Sequence, residues 1–154
     1  MRSLTKGLDY EGGRAAKLRG TGLSCLGMSS CRGRYFSPEE LRDHHTGQCA
    51  MDERFVELLD RWREATGRPL LLWDAFRSPS TNKAVGGAPN SYHLIGLAAD
   101  PRTHYRLEDV RRLALFSGIG VRGGLVVHVD ARHLATDRRF ASAATPSRPL
   151  VFSD

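Results

Sequence analysis

Long apolar runs are missing from this chain of 154 residues, and so, almost entirely, is lysine: only Lys6, Lys17 and Lys83 stand among 23 basic residues. No stretch approaches the roughly 20 apolar residues of a membrane-spanning helix. The lysine bias arises as readily from a GC-rich genome as from selected chemistry and carries no function. Cysteine is scarce and odd in number, with Cys25, Cys31 and Cys49, which excludes a disulfide framework. His44 and His45 lie close enough for a small structural zinc site, but the spacings C-x5-C and C-x17-C match no common finger or ribbon. Reduced thiols or a single bridge are the plainer readings. Acidic residues are outnumbered at 17, for a formal net charge of +6. With 40% hydrophobic and 26% charged residues, collagen-like, coiled-coil and wholly disordered classes are excluded. The length suits one domain with a real core.

The charge is unevenly placed. Residues 1–36 hold seven basic groups (Arg2, Lys6, Arg14, Lys17, Arg19, Arg32, Arg34) against Asp9 and Glu11, a net of +5, whereas residues 37–154 hold 16 against 15, a net of +1. Residues 1–34 are Gly- and Ser-rich, without sustained periodicity or the apolar core of a secretory signal. They are expected to form a flexible basic arm, able to hold a polyanion such as nucleic acid or an anionic cell-wall polymer. Nucleic acid is not the expected partner, because no recognised motif accompanies the charge.

Beyond the arm, Ser37-Pro38-Glu39-Glu40 carries a cap, a proline for the first helical position and a capping-box glutamate. That helix should be short, ending before Gly47. Asp52 caps a longer helix with Phe55, Leu58, Leu59 and Trp62 inward, stopped by Gly67. Pro69 to Trp73 predicts a buried strand, Arg77 to Tyr92 a loop, Leu97 to Asp100 a second strand and Leu107 to Phe116 a helix. Leu125 to Ala131, after Gly123-Gly124, is the clearest strand. After Arg132 the signal fades into a polar tail, 136–154. The order of elements predicts a small α+β domain over 35–135.

Chemistry concentrates in Ser91-Tyr92-His93-Leu94-Ile95-Gly96-Leu97-Ala98-Ala99-Asp100, followed 28 residues later by His128-Val129-Asp130. His93 and Asp100 are a nitrogen and an oxygen ligand separated by a glycine turn that lets the chain double back. His128, in mid-strand, supplies a third. Two histidines and a carboxylate leave a fourth tetrahedral position open for water, as a catalytic zinc requires.

The pattern S-x-H-x-x-G-x-A-x-D, preceded by N-x-x-V-G-G-A from Asn82 to Ala88 and followed by H-V-D-x-R, resembles the M15 zinc peptidases. It is most similar to the M15A carboxy-terminal type of bacteria and their phages. The likeness runs in order from Tyr35-Phe36-Ser37-Pro38-Glu39-Glu40-Leu41, through Phe76-Arg77-Ser78, to Gly118-Ile119-Gly120 and Arg132. It implies a small single domain with an antiparallel sheet, flanking helices and a Hedgehog/DD-peptidase-like zinc site. The implied activity is hydrolysis of peptidoglycan stem peptides, as a D-Ala-D-Ala carboxypeptidase or a cell-wall endopeptidase. Zinc would sit on His93, Asp100 and His128. Arg77 would steady the oxyanion, Ser91 would contact substrate, and Tyr92 would line the cleft.

Two departures stand out. Relatives often carry a carboxylate three residues before the third ligand, as base; here that position is Leu125. Residues two apart on a strand share a face, so Asp130 is the expected base, or else a group that orients a ligand. Asp74-Ala75-Phe76-Arg77 also replaces a more usual small-Gly-Tyr-Arg run. A catalytically weak zinc-containing module that binds cell wall or protein is therefore the alternative. His44, His45, His104 and His133 read as surface groups, Arg132 as the partner of a carboxylate, and Asn82 with Gly86-Gly87 as shapers of the loop before the site. A wall substrate without an export signal suggests a phage-encoded or virion-associated enzyme.

Overall fold

The computed structural model describes residues 31–153; nearly all of the basic arm, with Cys25, lies outside them. The longest element is helix α2, Glu53–Thr66. The Asp52 side chain accepts from the Arg54 amide, and Gly67 ends the helix in the left-handed region at φ 59°, as the sequence predicts. Phe55, Val56, Leu59 and Trp62 are buried, and Leu58 packs at the margin of the core. Trp62 meets Tyr105 at 4.8 Å and Phe116 at 5.2 Å between ring centroids. Each large side chain so buried contributes about 1.5–3 kcal/mol. Helix α1, Pro38–Leu41, is a single turn closed by the Ser37–Glu40 capping box. Asp43 turns the chain after it: Oδ1 accepts from the amides of His45 (2.8 Å) and Thr46 (3.2 Å), and Oδ2 from that of Ser78 (2.7 Å). A disulfide joins Cys31 to Cys49.

A five-stranded sheet packs on this helical layer in the order β1-β2-β4-β3-β5. The strands are β1 Leu72–Asp74, β2 Ala98–Pro101, β3 Gly118–Arg122, β4 Leu125–Asp130 and β5 Leu150–Ser153. β1, β2, β4 and β3 pair antiparallel, but β5 lies parallel to β3. The α+β class stands, while the sheet is mixed rather than wholly antiparallel, because residues 131–149 carry the chain back so that β5 runs in the direction of β3.

Four local expectations change. The run from Pro69 yields strand only at Leu72–Asp74, and as the sheet's edge it leaves Leu71 and Trp73 exposed rather than buried; Arg102 lies 4.7 Å over the Trp73 ring. The supposed loop after Arg77 contains helix α3, Pro79–Ala84, capped by Ser78 and begun by proline. Helix α4 covers only Leu107–Arg112, after which Ala114 takes φ 48°. Past Arg132 the chain forms 3-10 turns at Arg132–Leu134 and Arg138–Phe140 before β5. Turns without period and one four-residue strand leave little periodic signal to read.

Candidate metal centre

His93 lies in a 3-10 turn, Tyr92–Ile95, closed by Gly96 at φ 69°. The turn must carry glycine: a Cβ at 96 would collide with the Ala50 carbonyl oxygen and come within 2.7 Å of the Asp52 amide nitrogen. The Asp52 amide in turn donates to the Gly96 carbonyl at 3.1 Å. The His93 ring, 1% exposed, makes a 2.6 Å hydrogen bond from Nδ1 to the Ala75 carbonyl oxygen. A carbonyl only accepts, so Nδ1 carries the proton and the Nε2 lone pair is free.

That lone pair meets Asp100 on β2 and His128 on β4, neighbouring strands in register at Ala98↔Asp130 and Ala99↔Val129. His93 Nε2 lies 3.1 Å from Asp100 Oδ1 and 3.3 Å from His128 Nδ1, and His128 Nδ1 lies 2.9 Å from Asp100 Oδ1. The three potential ligand atoms all lie within 4.8 Å of one another. Two imidazole nitrogens and a carboxylate oxygen converging in a mostly buried niche form a donor set suited to a divalent transition metal.

Each side chain of the cluster is held from behind. His128 Nε2 donates to Asp130 Oδ2 at 3.2 Å, so its Nδ1 faces the cluster. Asp130 has no exposed surface, and Arg132 grips both its oxygens, Nε to Oδ1 at 2.8 Å and Nη2 to Oδ2 at 2.6 Å. Arg77 donates from Nη2 to Asp100 Oδ2 at 2.5 Å and from Nε to Asp74 at 2.6 Å. Burial pushes the Asp100 carboxyl up, but its interactions with the His128 and His93 imidazoles outweigh it and hold the group below the ordinary carboxylate range. Asp130 is likewise lowered: burial is outweighed by Arg132 and His128. Burial would lower His128, yet its bonds to Asp100 and Asp130 raise it to about 9.

An open cleft of about 400 Å³ borders the cluster, lined by Arg77, Val85, Gly86, Gly87, Ala88, Ser91, the three ligand residues and Phe152. Ser91 is thus at the cleft. Tyr92 is turned aside, donating from its hydroxyl to the Phe140 carbonyl at 2.9 Å and packing on the Phe140 ring. Asn82 holds the Gly86-Gly87 loop through its Nδ2 to the Ala88 carbonyl at 2.9 Å. His44, His45 and His104 are exposed as expected, but His133 is half-buried, with Nδ1 2.7 Å from the Ser117 hydroxyl. Sequence reasoning missed three contributors. A backbone oxygen at Ala75 has no residue-type signal, Asp74 stands in an unusual run that carries no sign of its pairing with Arg77, and Phe152 follows a stretch without periodicity.

A small α+β domain carrying a buried two-histidine, one-carboxylate cluster beside a cleft has the design of a metallohydrolase. The chain belongs to the peptidase M15 family, whose sequence model matches residues 34–134. No curated protein matches the sequence.

Proposed function

We propose that the chain is a zinc-dependent hydrolase of peptide bonds in bacterial peptidoglycan stem peptides, a D-Ala-D-Ala carboxypeptidase or a cell-wall endopeptidase. The observation that carries this reading is the convergence of His93 Nε2, Asp100 Oδ1 and His128 Nδ1, with both imidazole tautomers set by partners behind them. These three residues would hold the zinc ion, which when bound supplies Lewis acidity, polarising a carbonyl and acidifying water. The chain's own residues supply the rest. Arg77 has Nε and Nη2 committed to Asp74 and Asp100, which fixes the guanidinium plane at the cleft. A guanidinium held in place before reaction suits the negative charge that grows on a scissile carbonyl oxygen. Ser91 at the cleft offers a hydroxyl to the peptide backbone. Asp130 serves as the group that orients His128, since its buried oxygens are engaged by Arg132 and His128.

The Cys31–Cys49 disulfide supports action outside a reducing cytoplasm, and among the described residues no helix is long and apolar enough to cross a membrane. A phage-encoded or virion-associated enzyme, with the basic arm against an anionic wall polymer, fits this reading. The test is digestion of purified peptidoglycan by the zinc-loaded and the chelated protein, followed by mass spectrometry. Zinc-dependent new peptide termini are expected; none would refute the peptidase reading.

A second reading is favoured by one observation: among the described residues, Asp100 is the sole carboxylate lining the cleft, and Leu125 occupies the usual base position. A zinc-containing module that binds wall peptide without turning it over would give peptide affinity and no new termini.

A further inference from the structure

One wall of the cleft lies outside the family match. β5 pairs parallel with β3 and sets Phe152 opposite Gly120. Leu150 and Val151 on the same strand are exposed, whereas Phe152 is half-buried. Its ring centroid lies 5.6 Å from that of His128, and the Arg132 guanidinium lies 5.5 Å from it. That guanidinium is also 4.9 Å from the Tyr92 ring, so it is clamped between two aromatic faces while it grips Asp130. Gly120 provides the room: a Cβ there would come within 3.1 Å of the Phe152 ring and 2.9 Å of the His128 Cβ. Phe152 is therefore a placed residue that also lines the cleft.

The remaining walls are small, formed by Gly86, Gly87 and Ala88 with the edge of Val85, and the whole space is about 400 Å³, near the low end for a ligand pocket. Arg77 and Ser91 offer the polar contacts outside the ligand cluster. Phe152 offers a flat apolar surface with no polar atom, suited to dispersion contact with an aliphatic group.

We propose that Phe152 is a specificity-determining residue. It forms the apolar wall against which a substrate side chain of alanine size packs beside the metal site, and it limits how large that side chain can be. The inference rests on the peptidase reading above. Because it places the selectivity on β5, it also assigns a substrate-facing role to the segment that follows the family match.

The test compares full-length wild-type protein, Phe152→Ala and Phe152→Leu, each loaded with zinc. Two peptides are used: the stem peptide whose bond the wild type cuts, and an analogue with one alanine beside that bond enlarged to leucine. For each, kcat and KM are measured, together with calorimetric binding of the matching uncleavable methylene-amine peptides. Phe152→Ala should lower the preference for alanine over leucine by about tenfold or more, through KM and binding, with Phe152→Leu intermediate. Zinc affinity is measured in parallel by chelator competition, and kinetics and binding are read at saturating zinc, so that any loss through the Phe152 contact with His128 and Arg132 is kept apart from the alanine-to-leucine ratio. An unchanged alanine-to-leucine ratio in a folded, zinc-binding variant overturns the proposal, and Phe152→Leu carries the comparison if Phe152→Ala does not fold. If the wild type cleaves nothing, the peptidase reading fails, while the ratio of binding constants for the uncleavable peptides still decides the role of Phe152.

Discussion

Replacing Asp130 by asparagine separates the two roles that strand geometry leaves open for this carboxyl. Oδ1 accepts from the Arg132 Nε at 2.8 Å and the Arg132 amide at 3.1 Å; Oδ2 accepts from Arg132 Nη2 at 2.6 Å and from His128 Nε2 at 3.2 Å. An amide has one oxygen for these four donors, and whichever way it turns, its NH₂ faces an N–H of Arg132. The variant keeps the shape but sets donor against donor at a site with no exposed surface, beside a guanidinium whose side chain is only 11% exposed. Breaking a buried pair of this kind costs about 3–5 kcal/mol. Part of the hydrogen bonding survives in the amide, so a loss of about 3 kcal/mol is expected, on the order of 10 °C in Tm. If Asp130 orients His128, zinc affinity falls about 10- to 100-fold, which is about 1.4–2.8 kcal/mol. Turnover at saturating zinc then returns to within about tenfold of wild type. If Asp130 is the base, zinc affinity is preserved and turnover falls about 10²- to 10⁴-fold at any zinc concentration. Chelator competition and calorimetric melting give the two numbers. A folded Asp130→Asn protein with wild-type zinc affinity would refute the orienting role.

Gly96→Ala should be poorly tolerated. A positive φ costs a non-glycine residue about 1–2 kcal/mol, and the new Cβ also meets backbone at Ala50 and Met51, which cannot swing away. Chemical denaturation should show a loss above about 2 kcal/mol, together with weaker metal binding, and an unchanged midpoint would contradict the turn described here. Asp43→Asn tests the staple between α1 and Ser78. Burial pushes the Asp43 carboxyl up, but hydrogen bonds from Ser78 and the neighbouring amides outweigh it, so its folded-state pKa lies below the unfolded one. Its contribution is therefore present above about pH 4 and lost as pH falls through the folded value. The variant should be less stable by about 1–3 kcal/mol at pH 7, and the gap from wild type should narrow below about pH 4; a constant gap across a pH series would contradict the assignment.

The parts of this fold that could be read from the sequence are those with a period or a cap. α2 was legible because Asp52, the spacing of Phe55, Leu59 and Trp62, and Gly67 all state the same element. β4 was legible because Val126, Val127 and Val129 follow a glycine pair. α3 was not, because it is only six residues long and lies in a Gly- and Pro-rich stretch. The ligand triad was legible because one glycine turn and one strand bring its members together. The rule that residues two apart share a strand face placed Asp130 beside His128 correctly. Contact between neighbours on one face, however, engages the carboxylate with the imidazole Nε2 and leaves it facing away from the ligand cluster. Phe152, which packs on Arg132 and His128 at the cleft, follows 131–149, a stretch without periodicity that joins the sheet through a parallel pairing, and such long-range register has no local signature.

The charges around the site fit together once the supporting residues are counted with the ligands. Asp74, Asp100 and Asp130 face Arg77 and Arg132, so with both histidines neutral the cluster carries a formal −1 in a low-dielectric niche. A raised His128, at about 9, restores neutrality by holding a proton between Asp100 and Asp130. A divalent cation in place of that proton would bring the cluster to +1, a sign suited to a carbonyl oxygen gaining negative charge. A third guanidinium would weaken cation binding, and a third unpaired carboxylate would cancel the positive charge at the cleft. The overall excess of +6 therefore says nothing about the site, where three carboxylates face two guanidinium groups.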